Sequence, residues 1–314
     1  MIGKRRLGEA HTQYERDAEA AIRRVPEWQG KDVVYGMLVG GLSNRNWRVQ
    51  VSGDETDYFL KIPGEGTEMF IDRSVANEAA NNAHRLGIAP RVVFFDPADG
   101  MEVHEFLDGY RACTTTDFGD PSIQEKVLAL YKTFHAGPRL SLTKTIFDLI
   151  DEHFEQARSL GSCLPEDFAW LRHYYERARA AFTASGLDLV SCFNDPMPGN
   201  FLVSPGRPMK LIDYEFASTN ERAYELGVLF GEMFFDEKKT LELIEMYYGE
   251  VRADLVARVY LCRALADLKW ASWAIVSRKL NDWDFDFQKY GVWKYMRARD
   301  LFHDRRWDDW LRAI

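Results

Sequence analysis

The stretch "SCFNDPMPGNFLV", residues 191–203, decides how the chain is read. An apolar run stops at Asn194 and Asp195, two prolines and a glycine follow, and after Asn200 the sequence turns apolar again. Pro196 and Pro198 fix their own backbone angles and lack N–H donors, so neither a regular helix nor a central strand passes through them. The stretch is a stiff loop between two strand-like segments, carrying a carboxylate and a carboxamide five residues apart. Asp and Asn also cap local backbone in ordinary turns, and a surface turn is the plainer reading of the pair alone.

Outward from this loop the chain changes texture. Residues 9–24 read as a charged helix, and "DVVYGMLVGG", "NWRVQVSG" and "DYFLKIPG" as three strands punctuated by glycine. A helix near 72–86 closes on Gly87 and Pro90, and "RVVFFD" and "GMEVHEF" form two more strands around "PADG". From about residue 122 the helical period takes over, in three segments up to Gly186 and again near 222–248, 254–280 and 287–301. The opening loop and "MKLIDYEFA" interrupt these helices as short strands. A small β-rich lobe therefore precedes a larger helical one, with a crossover around Glu105–Gly109 and no internal repeat.

Five residues from Asp to Asn is also the spacing of the protein-kinase catalytic loop, where the Asp takes the acceptor's hydroxyl proton and the Asn holds a metal. Asp213 ends an apolar run in "KLIDYEFA", where a strand tip presents it to a cleft; a helix cap or turn is the alternative. Asn200 and Asp213 would be the hard oxygen ligands that a metal bridging nucleotide phosphates needs. "VGGLSNRNWRV" sets Gly40, Gly41, Ser43 and Asn44 between two strands, as a phosphate-covering hairpin requires and as an ordinary hairpin also allows. Lys61 ends a β run where it can meet phosphates, and Glu78 on the next helix can pair with it. An exposed strand lysine and a solvated helix face are the plainer readings. Glu105, at the crossover, is grouped with the nucleotide-binding residues.

Composition narrows the class. The 314 residues are 46% hydrophobic, enough for a substantial core. A formal charge of -9 without a basic tract argues against nucleic acid or an anionic membrane as main partner. The N-terminal residues lack an apolar signal core, and no apolar run reaches membrane-spanning length. Four scattered cysteines without a CxxC pair suggest reduced thiols and a cytoplasmic protein. Aromatics reach 14% with nine Trp, which suits an aromatic-lined site as well as a packed core.

Taken in order, these residues resemble the choline/ethanolamine kinase family, within the aminoglycoside-phosphotransferase-like kinases. The resemblance runs from about Val39 to Tyr295, and is strongest in "FNDPMPGNFL", "LIDYEFASTNERAYELGVLFGEM" and "WASWAIVSRKLNDWDFDFQKY". The matching positions are Asn194, Asp195, Asn200, Ile212, Asp213, Glu215, Phe216, Asn220, Tyr224, Glu225, Trp270 and Trp273. Two positions depart from the family pattern: its usual His is Phe193, a change of packing, and its usual Asp is Glu225, read as structural.

The resemblance implies an α+β, bilobed, protein-kinase-like fold: residues 1–106 as the nucleotide-binding lobe, 107–314 as the catalytic and acceptor-binding lobe. It implies ATP with Mg²⁺ and transfer of the γ-phosphate to a small amino alcohol, choline first. Asp195 is then the base, and Asn200 and Asp213 hold the metal. It assigns Trp270 and Trp273 to the acceptor's ammonium, with Phe285, Tyr290 and Glu232 near the same group. Aromatic faces and diffuse negative charge do hold a cation that cannot donate hydrogen bonds. Two tryptophans one turn apart are equally a helix core stripe. Kinases of thiamine, aminoglycosides or sugars, or a binding module without turnover, are the alternatives.

Overall fold

The structure is a computed structural model that describes residues 2–41, 44–64, 66–281 and 283–314. In chain order come strand β1 (Ile2–Arg6), helix α1 (Gln13–Ile22), strands β2 (Val33–Met37), β3 (Arg45–Val51) and β4 (Tyr58–Ile62), and helix α2 (Arg73–Arg85). Strands β5 (Val92–Asp96), β6 (Met101–Glu105) and β7 (Arg111–Ala112) precede helices α3 (Pro121–His135), α4 (Ile146–Ser159) and α5 (Phe168–Ser185). Short strands β8 (Leu189–Cys192), β9 (Phe201–Val203), β10 (Lys210–Leu211) and β11 (Ser218–Glu221) follow. The remaining helices are α6 (Arg222–Glu232), α7 (Glu237–Tyr248), α8 (Ala253–Leu280), α9 (Phe287–Phe302) and α10 (Trp307–Ala313).

The elements cluster into two units, Met1–Arg111 with Leu202–Glu215, and Ala112–Phe201 with Phe216–Ile314. One unit is strand-rich and the other mainly helical, which is the expected α+β division. The expected cut after residue 106 is linear; the clustering crosses at 111 and adds the returning segment 202–215 to the first unit. That segment is tied down within the unit: Leu211 N–H donates to the Ile88 carbonyl at 2.8 Å, and the Tyr110 hydroxyl to the Pro208 carbonyl at 3.0 Å.

The first unit is built on an antiparallel sheet in the order β1-β2-β3-β4-β6-β5. Period-two alternation sends Trp47, Val49 and Val51 of β3, and Tyr58 and Leu60 of β4, into one core with Ala18, Ala21 and Ile22 of α1. The same alternation puts Lys61 on the face opposite Leu60, where its register partner on β6 is Glu102. Thr12 and Glu15 form a capping box that starts α1.

In the second unit, β8 and β11 pair antiparallel, with Cys192 opposite Ser218 and Val190 opposite Asn220. Helix α8 runs for 28 residues and is buried on nearly every side, packed against α4, α6, α9 and α10. Its approach to α6 requires Gly227: a Cβ there would lie 2.7 Å from the Arg263 amide nitrogen. The single helical span read over 222–248 is two helices, because Phe234 turns to φ 55° and Asp236 caps α7 through the Lys239 N–H. No helix among the described residues is long and apolar enough to cross a membrane.

Candidate active site

Strand β8 delivers the chain to Asn194, which leaves it in a left-handed conformation at φ 67°. A side chain rarely holds that geometry without support. Here the support is dense. The Asn194 amide side chain donates to the Phe216 carbonyl at 2.8 Å and to Ser218 Oγ at 2.9 Å, and accepts from Asn220 Nδ2 at 3.1 Å. Glu225, fully buried on α6, accepts the Asn194 N–H at 2.9 Å and the Phe193 N–H with its other oxygen. His135 Nε2 of α3 lies 3.5 Å from that second oxygen. Phe193 itself is buried, with its ring edge-on to Phe201.

The loop so pinned presents Asp195 half-buried. Asn200 Nδ2 donates to Asp195 Oδ2 at 3.1 Å, so the two residues that the spacing singled out touch each other. With its N–H₂ end on Asp195, Asn200 keeps a carbonyl oxygen as the end suited to a hard cation.

In the first unit, Lys61 is only 6% exposed, and its Nζ lies 2.8 Å from Asp213 Oδ1 and 2.7 Å from Glu215 Oε1. Burial alone would pull its pKa down, but Asp213, Glu215 and Glu102 together hold it above the ordinary lysine value. Burial, opposed by Lys61, pushes the Glu215 carboxyl upward. Asp213 stands at φ 70° with its side chain 37% exposed, so one face of its carboxylate meets Lys61 while the group stays accessible. Two carboxylates on one ammonium leave an excess of negative charge that suits a divalent cation.

The other residues expected at the nucleotide fall out separately. Gly40 and Gly41 adopt φ 130° and 85°, conformations that glycine takes without strain. Asn44 Nδ2 donates to Glu215 at 3.0 Å, joining the hairpin to the Lys61 cluster. Ser43 lies outside the described residues. Glu78 is on α2 and half-buried. Glu105 ends β6 and accepts from Arg91 Nε at 2.8 Å.

The aromatic residues of the second unit form a connected cluster. Trp270 and Trp273 are 7% and 8% exposed, edge-on to each other with centroids 5.5 Å apart. Trp273 also meets Tyr290, and Tyr290 meets the exposed Phe285. Glu232 is paired with the buried Lys294, and Arg297 NH1 lies 3.9 Å away. Lys269 Nζ sits over the Trp270 ring. Glu215 was visible in the motif without its role, while Glu225, read as structural, is the residue that holds the Phe193 and Asn194 N–H groups. Lys269 carried no signal, because a lysine on a helix reads by default as solvated.

A carboxylate loop suited to taking a hydroxyl proton, together with a buried lysine suited to phosphate and hard oxygen donors suited to a divalent cation, belongs to ATP-dependent phosphotransferases with an alcohol acceptor. Within that class the assignment is specific. The chain belongs to the choline/ethanolamine kinase family, whose model, described as choline/ethanolamine kinase, matches residues 36–251. It is 22% identical to probable choline kinase 2 of Arabidopsis thaliana, over 88% of this chain and 89% of that one. It is 24% identical to ethanolamine kinase 2 of Mus musculus, over 86% and 76% respectively. A choline/ethanolamine kinase family protein from Mesorhizobium loti superposes with a TM-score of 0.80 at 25% identity, covering 96% of this chain and 98% of that one.

Proposed function

We propose that this protein transfers the γ-phosphoryl group of ATP to the hydroxyl of a small amino alcohol, with choline preferred to ethanolamine. The observation that carries the reading is the Asp195–Asn200 contact on a loop whose left-handed entry is held by Asn220, Ser218 and Glu225. Asp195 orients the acceptor hydroxyl and takes its proton as the phosphoryl group transfers. Lys61, held by Asp213 and Glu215, meets the phosphates, with the Gly40–Gly41 turn covering them. Asp213 and Asn200 are the residues that would hold Mg²⁺, which when bound neutralises charge on the phosphates. The buried aromatic cluster around Trp270, Trp273 and Tyr290 favours a cationic, alkylated head group over a purely polar one. A primary ammonium is better hydrated and would bring N–H donors into that cluster, which argues for choline.

ATP consumption with choline, ethanolamine, thiamine, an aminoglycoside and a simple sugar tests the reading. Turnover with choline should exceed that with ethanolamine, and both should exceed the rest. Fast turnover with a sugar or aminoglycoside, and none with either amino alcohol, would overturn it.

A further inference from the structure

Lys269, on α8 beside Trp270, is 1% exposed. Its Nζ stands 3.1 Å from the centroid of the Trp270 ring and 4.9 Å from that of Phe216. The charged groups around it come from several elements. Asp195 on the catalytic loop and Glu152 on α4 favour its charge, while Lys144 before α4 and Lys294 on α9 oppose it. The buried His153 of α4 lies in its field as well. The chain has therefore placed its own ammonium on an aromatic face, within the field of the carboxylate that reads as the base.

An amino alcohol carries its cation only two carbons from its hydroxyl. An acceptor whose hydroxyl reaches Asp195 brings that cation into the same field as the Lys269 ammonium. Two like charges sharing a dry pocket repel far more than they would in water. One of them has to leave or lose its charge.

We propose that Lys269 is the specificity-determining residue of the acceptor site: its ammonium holds the face of Trp270 when no acceptor is bound, and yields its charge to a cationic acceptor. The proposal rests on the reading of Asp195 as base and of an amino alcohol as acceptor. The exchange balances: the acceptor's charge enters, one N–H bond of Lys269 breaks, its electron pair stays on nitrogen, and the proton passes to the buffer. Burial makes this accessible near neutral pH by pulling the Lys269 pKa down to about 7. A neutral alcohol brings no charge and forces no exchange, so the pocket distinguishes acceptors by charge as well as by shape.

Choline binding to the full chain, measured calorimetrically in two buffers of different ionisation enthalpy, tests this directly. Near pH 6 close to one proton should be released per choline, and the release should fade above about pH 8. Because the protonated lysine competes with the acceptor, the KM for choline should fall about tenfold between those pH values, the expectation for one competing proton with a midpoint near 7. The neutral isostere 3,3-dimethylbutan-1-ol should show neither effect. Lys269→Met, similar in volume and uncharged, should abolish proton release and flatten the choline profile, while the KM for ATP stays within about twofold. Choline binding without proton release, with a KM indifferent to pH, would overturn the proposal, and that count on the wild type needs no variant to fold. If ATP binds but neither amino alcohol does, in wild type or in Lys269→Met, the amino-alcohol reading falls and takes the role of Lys269 with it.

Discussion

Glu225 shapes the loop that carries Asp195 through its backbone: its two oxygens take the N–H groups of Phe193 and Asn194, the two residues before Asp195. Asp195→Asn keeps the volume and the hydrogen bond to Asn200 but removes the proton acceptor. Turnover should fall by about 10²-fold or more with ATP affinity retained, the scale of losing general-base help. Steady-state kinetics alongside ATP titration would check it, and a rate within a few-fold of wild type would remove Asp195 from that role. Lys61→Met makes the complementary prediction. It strips the cation that Asp213 and Glu215 share, so the KM for ATP should rise by about tenfold or more while choline affinity changes little. Equal loss of both affinities would mean that Lys61 supports the fold and not the nucleotide. The Asp195–Asn200 contact and the accessible placement of Asp213 were legible because spacing and loop chemistry are local. The Lys61–Glu215 pair was not, since Glu215 reaches Lys61 only once the chain has returned through 202–215 to the first unit.

Elements were legible where a period declared them. Trp47, Val49 and Val51 announce β3 by alternation, and α1 to α5 carry helical spacing with clear caps such as Asp72 and Asp120. β1 escaped because "IGKRR" has no apolar stripe; it belongs to the sheet through backbone pairing with β2. β11 escaped for a related reason, its polar "STNE" being buried by hydrogen bonds and not by hydrophobicity. The aromatic helix α8 is the ambiguous case, since burial on nearly all sides erases the stripe that would assign its tryptophans. Two substitutions separate their roles. Trp273→Ala removes a ring packed against Trp270, Phe287 and Tyr290, and should cost about 3–5 kcal/mol of stability. Trp273→Phe keeps a face in place. It should retain a melting temperature near wild type while raising the KM for choline a few-fold and leaving that for ATP alone. Thermal melts and both KM values on the same proteins decide the matter: if the Phe variant shifts both KM values together, the ring serves packing alone.

Across the whole molecule, burial of ionisable groups sets how stability follows pH. His153 is 2% exposed, and burial, followed by the charges of Lys269 and Lys144, lowers its pKa to about 3. An unfolded histidine titrates near 6.5. Between these values the unfolded chain binds a proton that the folded one refuses, so stability rises with pH across that window and is lost as pH falls through it. At about 1.4 kcal/mol for each pH unit between the two values, this one ring contributes a few kcal/mol to the acid limb. Lys269 acts in the same direction higher up, its folded value near 7 against an ordinary lysine's, so stability still climbs above neutrality. The buried thiols of Cys192 and Cys262 and the hydroxyls of Tyr131 and Tyr224, all raised by burial, reverse the trend once their unfolded counterparts ionise. Glu102, whose carboxyl His104 and Lys61 hold below the usual range against its burial, adds a second acid loss beneath the ordinary glutamate value. Asp267, which burial raises to about 6, and Glu215, also raised by burial, take up protons first in the folded chain and temper the His153 loss below about pH 6. The melting temperature should therefore peak on the alkaline side of neutral, decline toward pH 7 through Lys269, and then show two acid falls, the first beginning below about pH 6.5 and the second below about 4.5. His153→Gln, neutral at every pH, should flatten the first of these falls and leave the second. Scanning calorimetry across the acid range on both proteins makes the comparison, and a variant whose first fall is as steep as that of the wild type would show that the acid limb begins elsewhere.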